Sequence, residues 1–507
     1  MKDWEKLVKD LNDKNFSEVK NQVKDYDIYP ESLREKDGSF IFMTRIDNQK
    51  RIIIVKKGNM YDRFEGQERE IEEVKIKIVP LNHQNAEVLR DLFDFTSPAP
   101  KGKQGASLGL GDRIGLASPG HIHTIKDKNI KPVLAQQSIR ELELTERDYD
   151  DVLDAASWAV FQEGYEKGFG ADGDHLKNEE EVNMALEKGF SMITLDGSEY
   201  IDNSIDDLDE NEVNNRYKEV KNKENIIVDL EEKYLEKTFT LETDTEINFN
   251  KERFQRIILT YFDLLNFTED IYNKLIVPVD RQIDFEVSID ETQTPTSPQA
   301  HYFVASELIE RGLEINSLAP RFCGEFQKAI DYIGDIDQFE KEYKIHAQIA
   351  DEFGYKLSIH SGSDKFSVYP LIGKYTDGRV HVKTAGTNWL EALRVIAENE
   401  PDLFREIHNY AMDNYEEATK YYHVTTDFDN IPDITELTDS ELTELFDHED
   451  ARQMLHITYG VIMKAEADDG TYLFRDKMYR AWNQYEEEYS QVLQKHIGKH
   501  VDELGFE

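Results

Sequence analysis

Between residues 105 and 400, short apolar runs alternate with segments of helical period, and no other feature limits the fold as tightly. The runs fall at 113–118, 133–138, 168–174, 192–197, 284–291, 315–322, 356–361 and 380–385. Helical periodicity follows most of them, at 149–167, 179–188, 251–275, 301–311, 337–353 and 389–399. A succession of eight strand–helix units closes into a barrel, in roughly 250 residues plus any insertions. The expected fold class is therefore α/β, a (β/α)8 TIM-type barrel at 105–400. The stretch at about 200–250, rich in Asp, Glu and Asn, reads as an acidic insertion, either a solvated surface excursion or a lid over the barrel mouth.

Two regions flank the barrel. Residues 1–104 carry an amphipathic start (Trp4, Leu7, Leu11), β-rich runs at 40–43 and 52–55 around a polar turn, and a third run at 74–79. They read as a small α+β region, followed by Ser97-Pro98-Ala99-Pro100 as a linker. Residues 401–507 read as a helical region, with Tyr479, Trp482, Tyr485 and Tyr489 as a core stripe.

The 507 residues include 104 acidic and 60 basic side chains, a formal charge of −44. Such a surplus repels nucleic-acid phosphates and anionic bilayers, so neither partner is expected. Hydrophobic residues at 39% are enough for a folded chain despite the acidity. No apolar run approaches the roughly 20 residues of a membrane helix. The first residues lack an apolar signal core, and the single Cys323 fits a reducing interior, so a cytoplasmic location is expected. The oligomeric state is left open, a homo-oligomer included.

Barrel strands alternate between the interior and the surrounding helices, so polar residues set between apolar ones point inward. At 284–290, Phe285, Val287 and Ile289 face the helices, while Glu286, Ser288 and Asp290 face the interior. His360 ends its strand on the inner face, and His381 and Lys383 alternate with outward valines. The same alternation turns Gln136, Asp172, Asp174, Thr194, Asp196 and Arg321 inward. Acids, bases and imidazoles are costly to bury without partners, and barrel active sites lie at the C-terminal strand ends. This concentration points to an enzyme, and clustered imidazoles and carboxylates suit a divalent transition metal such as Zn, Mn, Co or Ni. Asp174-His175 reads equally as a helix-capping turn, and Asp364-Lys365 as a surface pair. Gly109-Leu110-Gly111-Asp112-Arg113 looks like a glycine loop, but its expected place before a strand argues against nucleotide binding.

These residues stand in longer blocks. Gly111-Asp112-Arg113-Ile114-Gly115, Gln136-Gln137-Ser138-Ile139-Arg140-Glu141, Asp172-Gly173-Asp174-His175, Asp290-Glu291-Thr292-Gln293-Thr294, Ser358-Ile359-His360-Ser361-Gly362-Ser363-Asp364-Lys365 and His381-Val382-Lys383-Thr384-Ala385-Gly386-Thr387 are among them. The blocks resemble the tagaturonate/fructuronate epimerase family of bacterial hexuronate catabolism. The resemblance implies an isomerase with a divalent metal that interconverts D-tagaturonate and D-fructuronate by inversion at C4. It extends to the neutral ketohexoses tagatose and fructose as further substrates.

The C4 hydrogen lies β to the keto group and is not acidified by it. A metal-assisted retro-aldol cleavage of C3–C4 followed by re-addition is therefore expected. The alternative, oxidation of C4 by a nicotinamide, lacks a dinucleotide fingerprint, so no nicotinamide is expected. On this reading His175, His360 and His381 hold the metal, with Glu286 or His301 as substitutes. Asp174 and Glu286 form the acid/base pair. Arg321 grips the substrate carboxylate with Lys365 and Lys383 as point charges, and Gln136, Ser361 and Thr384 bind hydroxyls. The alternatives are a metal-dependent aldolase or ketose–aldose isomerase on sugar acids and, outside enzymes, a sugar-binding barrel.

Overall fold

The computed structural model describes residues 3–56, 58–384 and 386–506. Eight parallel strands close into a barrel in chain order. They are β1 (Ser107–Gly109), β2 (Lys131–Ser138), β3 (Gly170–Leu176), β4 (Met192–Asp196), β5 (Asp284–Ile289), β6 (Ile315–Pro320), β7 (Lys356–Ile359) and β8 (Val380–Lys383). Pairing of His381 with Ser107 and of Lys383 with Gly109 shuts the ring. Phe285, Val287, Ile289, Leu357, Ile359, Val380 and Val382 are buried in one core with the surrounding helices, as their alternation requires.

The first strand departs from the expectation. It lies at 107–109, and the segment at 113–118 is a loop that enters the helix Ser118–Ile125. The cause is Asp112, whose carboxylate accepts the N–H groups of Ile114, Gly115 and Ala117 at 3.1, 2.8 and 2.6 Å and folds the stretch into a turn. A Cβ at Gly109 would lie 2.4 Å from Gln136 Oε1, so a side chain there would displace the Gln136 amide. The glycine loop thus follows a strand, contrary to the sequence reading. The amides just after it, of Ile114, Gly115 and Ala117, are held by Asp112, and the Leu110 amide donates to the Val133 carbonyl. The expected end of the eighth strand, Ala385, lies outside the described residues, as do Met1, Lys2 and Glu507 at the ends of the flanking regions.

Strands Ser39–Ile46 and Gln49–Val55 form a hairpin with a tight turn at Asp47-Asn48, where φ is +50° and +63°. Val74–Pro80 pairs beside them in a five-stranded antiparallel sheet. Glu486 of the C-terminal helix Glu486–Glu503 ties this sheet down, accepting the Tyr29 hydroxyl at 2.6 Å and facing Lys50 Nζ at 2.5 Å.

The insertion folds as helices Glu210–Lys223 and Ile226–Tyr234 and the hairpin Lys237–Thr240/Glu246–Phe249. Tyr217, Tyr234 and Phe249 are buried in the barrel core cluster, and the Tyr234 hydroxyl donates to Glu307 at 2.7 Å. The insertion is a packed outer layer with a solvated acidic face. The C-terminal helices enclose Trp389 and Trp482 in a core of their own. No helix among the described residues is long and apolar enough to cross a membrane.

Candidate active site

A cavity of about 310 Å³ opens at the C-terminal end of the barrel, with Arg140, His175, Asp290, Lys328, His360 and Tyr422 in its wall. An adjoining recess of about 60 Å³ reaches Gln136, Asp174 and Lys383.

Lys383, near the end of β8, binds three acids at once. Its Nζ lies 2.5 Å from Asp174, 2.9 Å from Glu286 and 3.1 Å from Asp172, all of them buried. Burial alone would lower the lysine pKa, but Asp172, Asp174 and Glu286 hold it well above the usual range. Burial alone would raise Asp174, yet Lys383 brings it down to about 2. The same ammonium, followed by His360, holds Glu286 well below the carboxylate range against its burial.

His360 follows β7 directly. Its Nε2 lies 2.8 Å from Glu286 and its Nδ1 3.1 Å from Asp290. Burial disfavours its protonation, but Asp290 outweighs that and pushes the pKa up to about 10. His175 sits at φ +53°, where the register of β3 against β4 shifts between Gly173 and Leu176. Such an irregularity re-aims side chains, so Asp174 and His175 both reach the mouth although they are consecutive. His175 Nδ1 lies 3.3 Å from Asp196, and its ring meets that of His360 edge-on, centroids 4.7 Å apart.

Donor atoms of His175, Asp290 and His360 all lie within 4.8 Å of one another. His360 Nδ1 faces Asp290 at 3.1 Å and His175 Nδ1 faces Asp196 at 3.3 Å, so carboxylates already surround both rings. Two imidazoles and one carboxylate converging in this way fit a divalent transition ion by the chemistry of the donor set.

The remaining expected residues divide. Gln136 lines the recess and donates to Asp172 at 3.1 Å; Ser361 lines both spaces; Arg321 lines the outer cavity. The structure does not bring His381 to the imidazole–carboxylate group. It lies two residues deeper on β8 than Lys383, with Nδ1 2.9 Å from Ser107 Oγ, and burial pushes its pKa down to about 3. His301 is on the helix Pro298–Glu310, where its Nε2 lies 2.6 Å from the Tyr355 hydroxyl and its Nδ1 faces His346. Lys365 is enclosed, and its Nζ donates to the carbonyls of Gln327, Ile330 and Ser363 at 2.9, 2.7 and 2.8 Å. Asp364 is likewise buried and pairs with Arg452 at 2.8 Å, so Asp364-Lys365 is no surface pair. The Thr384 hydroxyl donates to the Gly109 carbonyl at 2.9 Å and sews β8 to β1.

The sequence reading missed Arg140, Lys328 and Tyr421-Tyr422-His423 as cavity residues. Arg140 follows the end of β2 within a quoted block, which is a usable signal. Lys328 lies in the loop after β6 and shows none; its enclosure, with Arg140 as the next contribution, pulls its pKa down to about 8.

A closed parallel barrel with a buried acid–lysine cluster and convergent metal-type donors at its C-terminal mouth defines an enzyme of the barrel class. The family model described as tagaturonate epimerase matches residues 29–504. The tagaturonate/fructuronate epimerase of Thermotoga maritima is 41% identical over 480 residues, 94% of this chain and 97% of that protein. The native crystal structure of fructuronate-tagaturonate epimerase UxaE from Cohnella laeviribosi is 51% identical with a TM-score of 0.92, covering 94% of this chain and 96% of that one. Its complex with one glycerol is 50% identical with a TM-score of 0.92, covering 96% and 99%. The chain belongs to the tagaturonate epimerase family and is an enzyme of epimerase type.

Proposed function

We propose that this enzyme interconverts D-tagaturonate and D-fructuronate by inversion at C4, with a divalent transition ion held by His175, Asp290 and His360. The observation that carries the reading is the convergence of those three donors beside the buried Asp174–Lys383 pair. The ion, when bound, supplies Lewis acidity toward the C2 carbonyl.

Asp174 is ionised at neutral pH and lines the recess, so it accepts the C4 hydroxyl proton. The C3–C4 bond then opens to an enediolate and an aldehyde, its electron pair passing toward the C2 oxygen. The aldehyde turns, the bond re-forms on its other face, and Asp174 returns the proton. Lys383, 2.5 Å from Asp174, holds that carboxylate in its ionised form until the proton arrives. Glu286 has both oxygens engaged, by His360, Lys383 and Thr194 on one and Ser317 on the other. It therefore positions His360 and Lys383 rather than transferring protons itself. Gln136 and Ser361 line the recess and on this reading bind sugar hydroxyls.

Protein stripped with EDTA should convert tagaturonate to fructuronate, resolved by NMR, only after Zn, Mn, Ni or Co is restored. Full conversion by protein shown to be metal-free would overturn the metal assignment. Accumulation of three-carbon fragments would favour the aldolase alternative, and no conversion with any ion would overturn the substrate.

A further inference from the structure

The cations at the barrel mouth are unequally engaged. Lys383 is shared among three acids, Lys365 is spent on three carbonyls, and Arg113 holds Glu141 through Nε and Nη2 at 3.0 and 2.8 Å. Lys177 faces Asp196 and Glu291 at 3.6 and 3.7 Å. Lys328, Arg140 and Arg321 differ: among the described residues none of them makes an ion pair, and of the three only Lys328 and Arg140 reach the recess as well as the outer cavity. Lys328 Nζ donates to Ser361 Oγ at 2.8 Å. Arg140 Nη1 donates to the Tyr421 carbonyl at 3.2 Å, its Nε is buried without a partner, and its guanidinium lies 4.8 Å from the Tyr422 ring centroid.

All but one of the carboxylates in the cavity walls are already paired. Glu141 is held by Arg113, Asp174 by Lys383 and Asp290 by His360; Glu291 faces Lys177, and Glu325, bound among the described residues only by the Gln327 amide, keeps its charge at the exposed rim. Three half-buried cavity cations, Lys328, Arg140 and Arg321, are therefore left without an ion pair among the described residues, in a chain of net charge −44. Enclosing a charge without a counter-charge is costly, and an anionic ligand removes that cost. Position separates the three. Lys328 and Arg140 line both the outer cavity and the recess, as do His175 and His360, whereas Arg321 lines only the outer cavity.

We infer that Lys328 and Arg140 form an anion subsite that takes the carboxylate of the sugar acid, with Tyr421 and Tyr422 of the C-terminal region as its wall. Arg140 supplies a planar fork of donors and Lys328 a point charge. The subsite moves the carboxylate grip from Arg321 to this pair and makes the C-terminal region part of substrate recognition. It rests on the proposed uronate substrate.

The test is calorimetric titration of the metal-loaded enzyme with galactonate and with galactitol, which differ by a carboxylate and have no carbonyl to turn over. Wild type should bind galactonate more tightly by about 10- to 150-fold. Lys328→Met and Arg140→Met should each remove most of that preference, Lys328→Arg should keep most of it, and Arg321→Met should leave it intact. Equal binding of both ligands by wild type overturns the subsite, as does a folded Lys328→Met enzyme that keeps the full preference. Because binding is read without turnover, failure to epimerise tagaturonate refutes the proposed reaction separately from the subsite.

Discussion

Lys383→Met should abolish epimerisation and lower folding stability by about 3–5 kcal/mol, the cost of leaving a buried charge without its partner. Three buried carboxylates, Asp172, Asp174 and Glu286, lose their shared cation in this variant. The contribution of Asp174 to the pH dependence of stability should also change sign. In wild type Asp174 is depressed from 3.8 to about 2, so its contribution is present above 3.8 and is lost as pH falls toward 2. Burial already raises Asp172 in wild type, and without Lys383 burial and mutual repulsion push Asp174 up past its unfolded value as well. Their contribution is then present at low pH and lost as pH rises, so the variant should gain stability relative to wild type on acidification. Denaturant unfolding of both proteins between pH 4 and 7 measures this. Unchanged stability, or parallel pH profiles, would contradict the shared-cation account.

His360→Ala should reduce kcat/KM by at least about 100-fold and bound metal well below the wild-type level, with the fold retained. The fold survives because Lys383 still neutralises Glu286 at 2.9 Å. The imidazole contacts both Glu286 and Asp290, so its loss removes a donor and frees Asp290 to turn away. Metal content per chain and far-ultraviolet dichroism read the two effects separately. Full metal occupancy in the variant would remove His360 from the donor set.

The barrel was legible because its strands carry a strict alternation, as in Phe285-Glu286-Val287-Ser288-Ile289, where one set must meet the helices. The first strand was not, because Ser107–Gly109 is short and ends in glycine, while the more apolar segment after it is bent by Asp112. Alternation also tells which face a residue takes but not its height in the barrel. His381 and Lys383 share the inner face, yet only Lys383 reaches the recess. Residue type misleads where backbone carbonyls absorb a cation, as they do with Lys365. Lys328 lies in a loop without periodicity, and only the closed fold brings it to the mouth.

The central claim is C4 inversion by carbon–carbon cleavage at a metal-loaded site. Its most direct test is tagaturonate deuterated at C4, incubated with metal-loaded enzyme in ordinary water and followed by NMR, with the acid-released supernatant assayed for nicotinamide. The account predicts fructuronate that keeps the deuterium at C4, and a supernatant without nicotinamide. Loss of the label to solvent at C4, or stoichiometric nicotinamide in the supernatant, would contradict it.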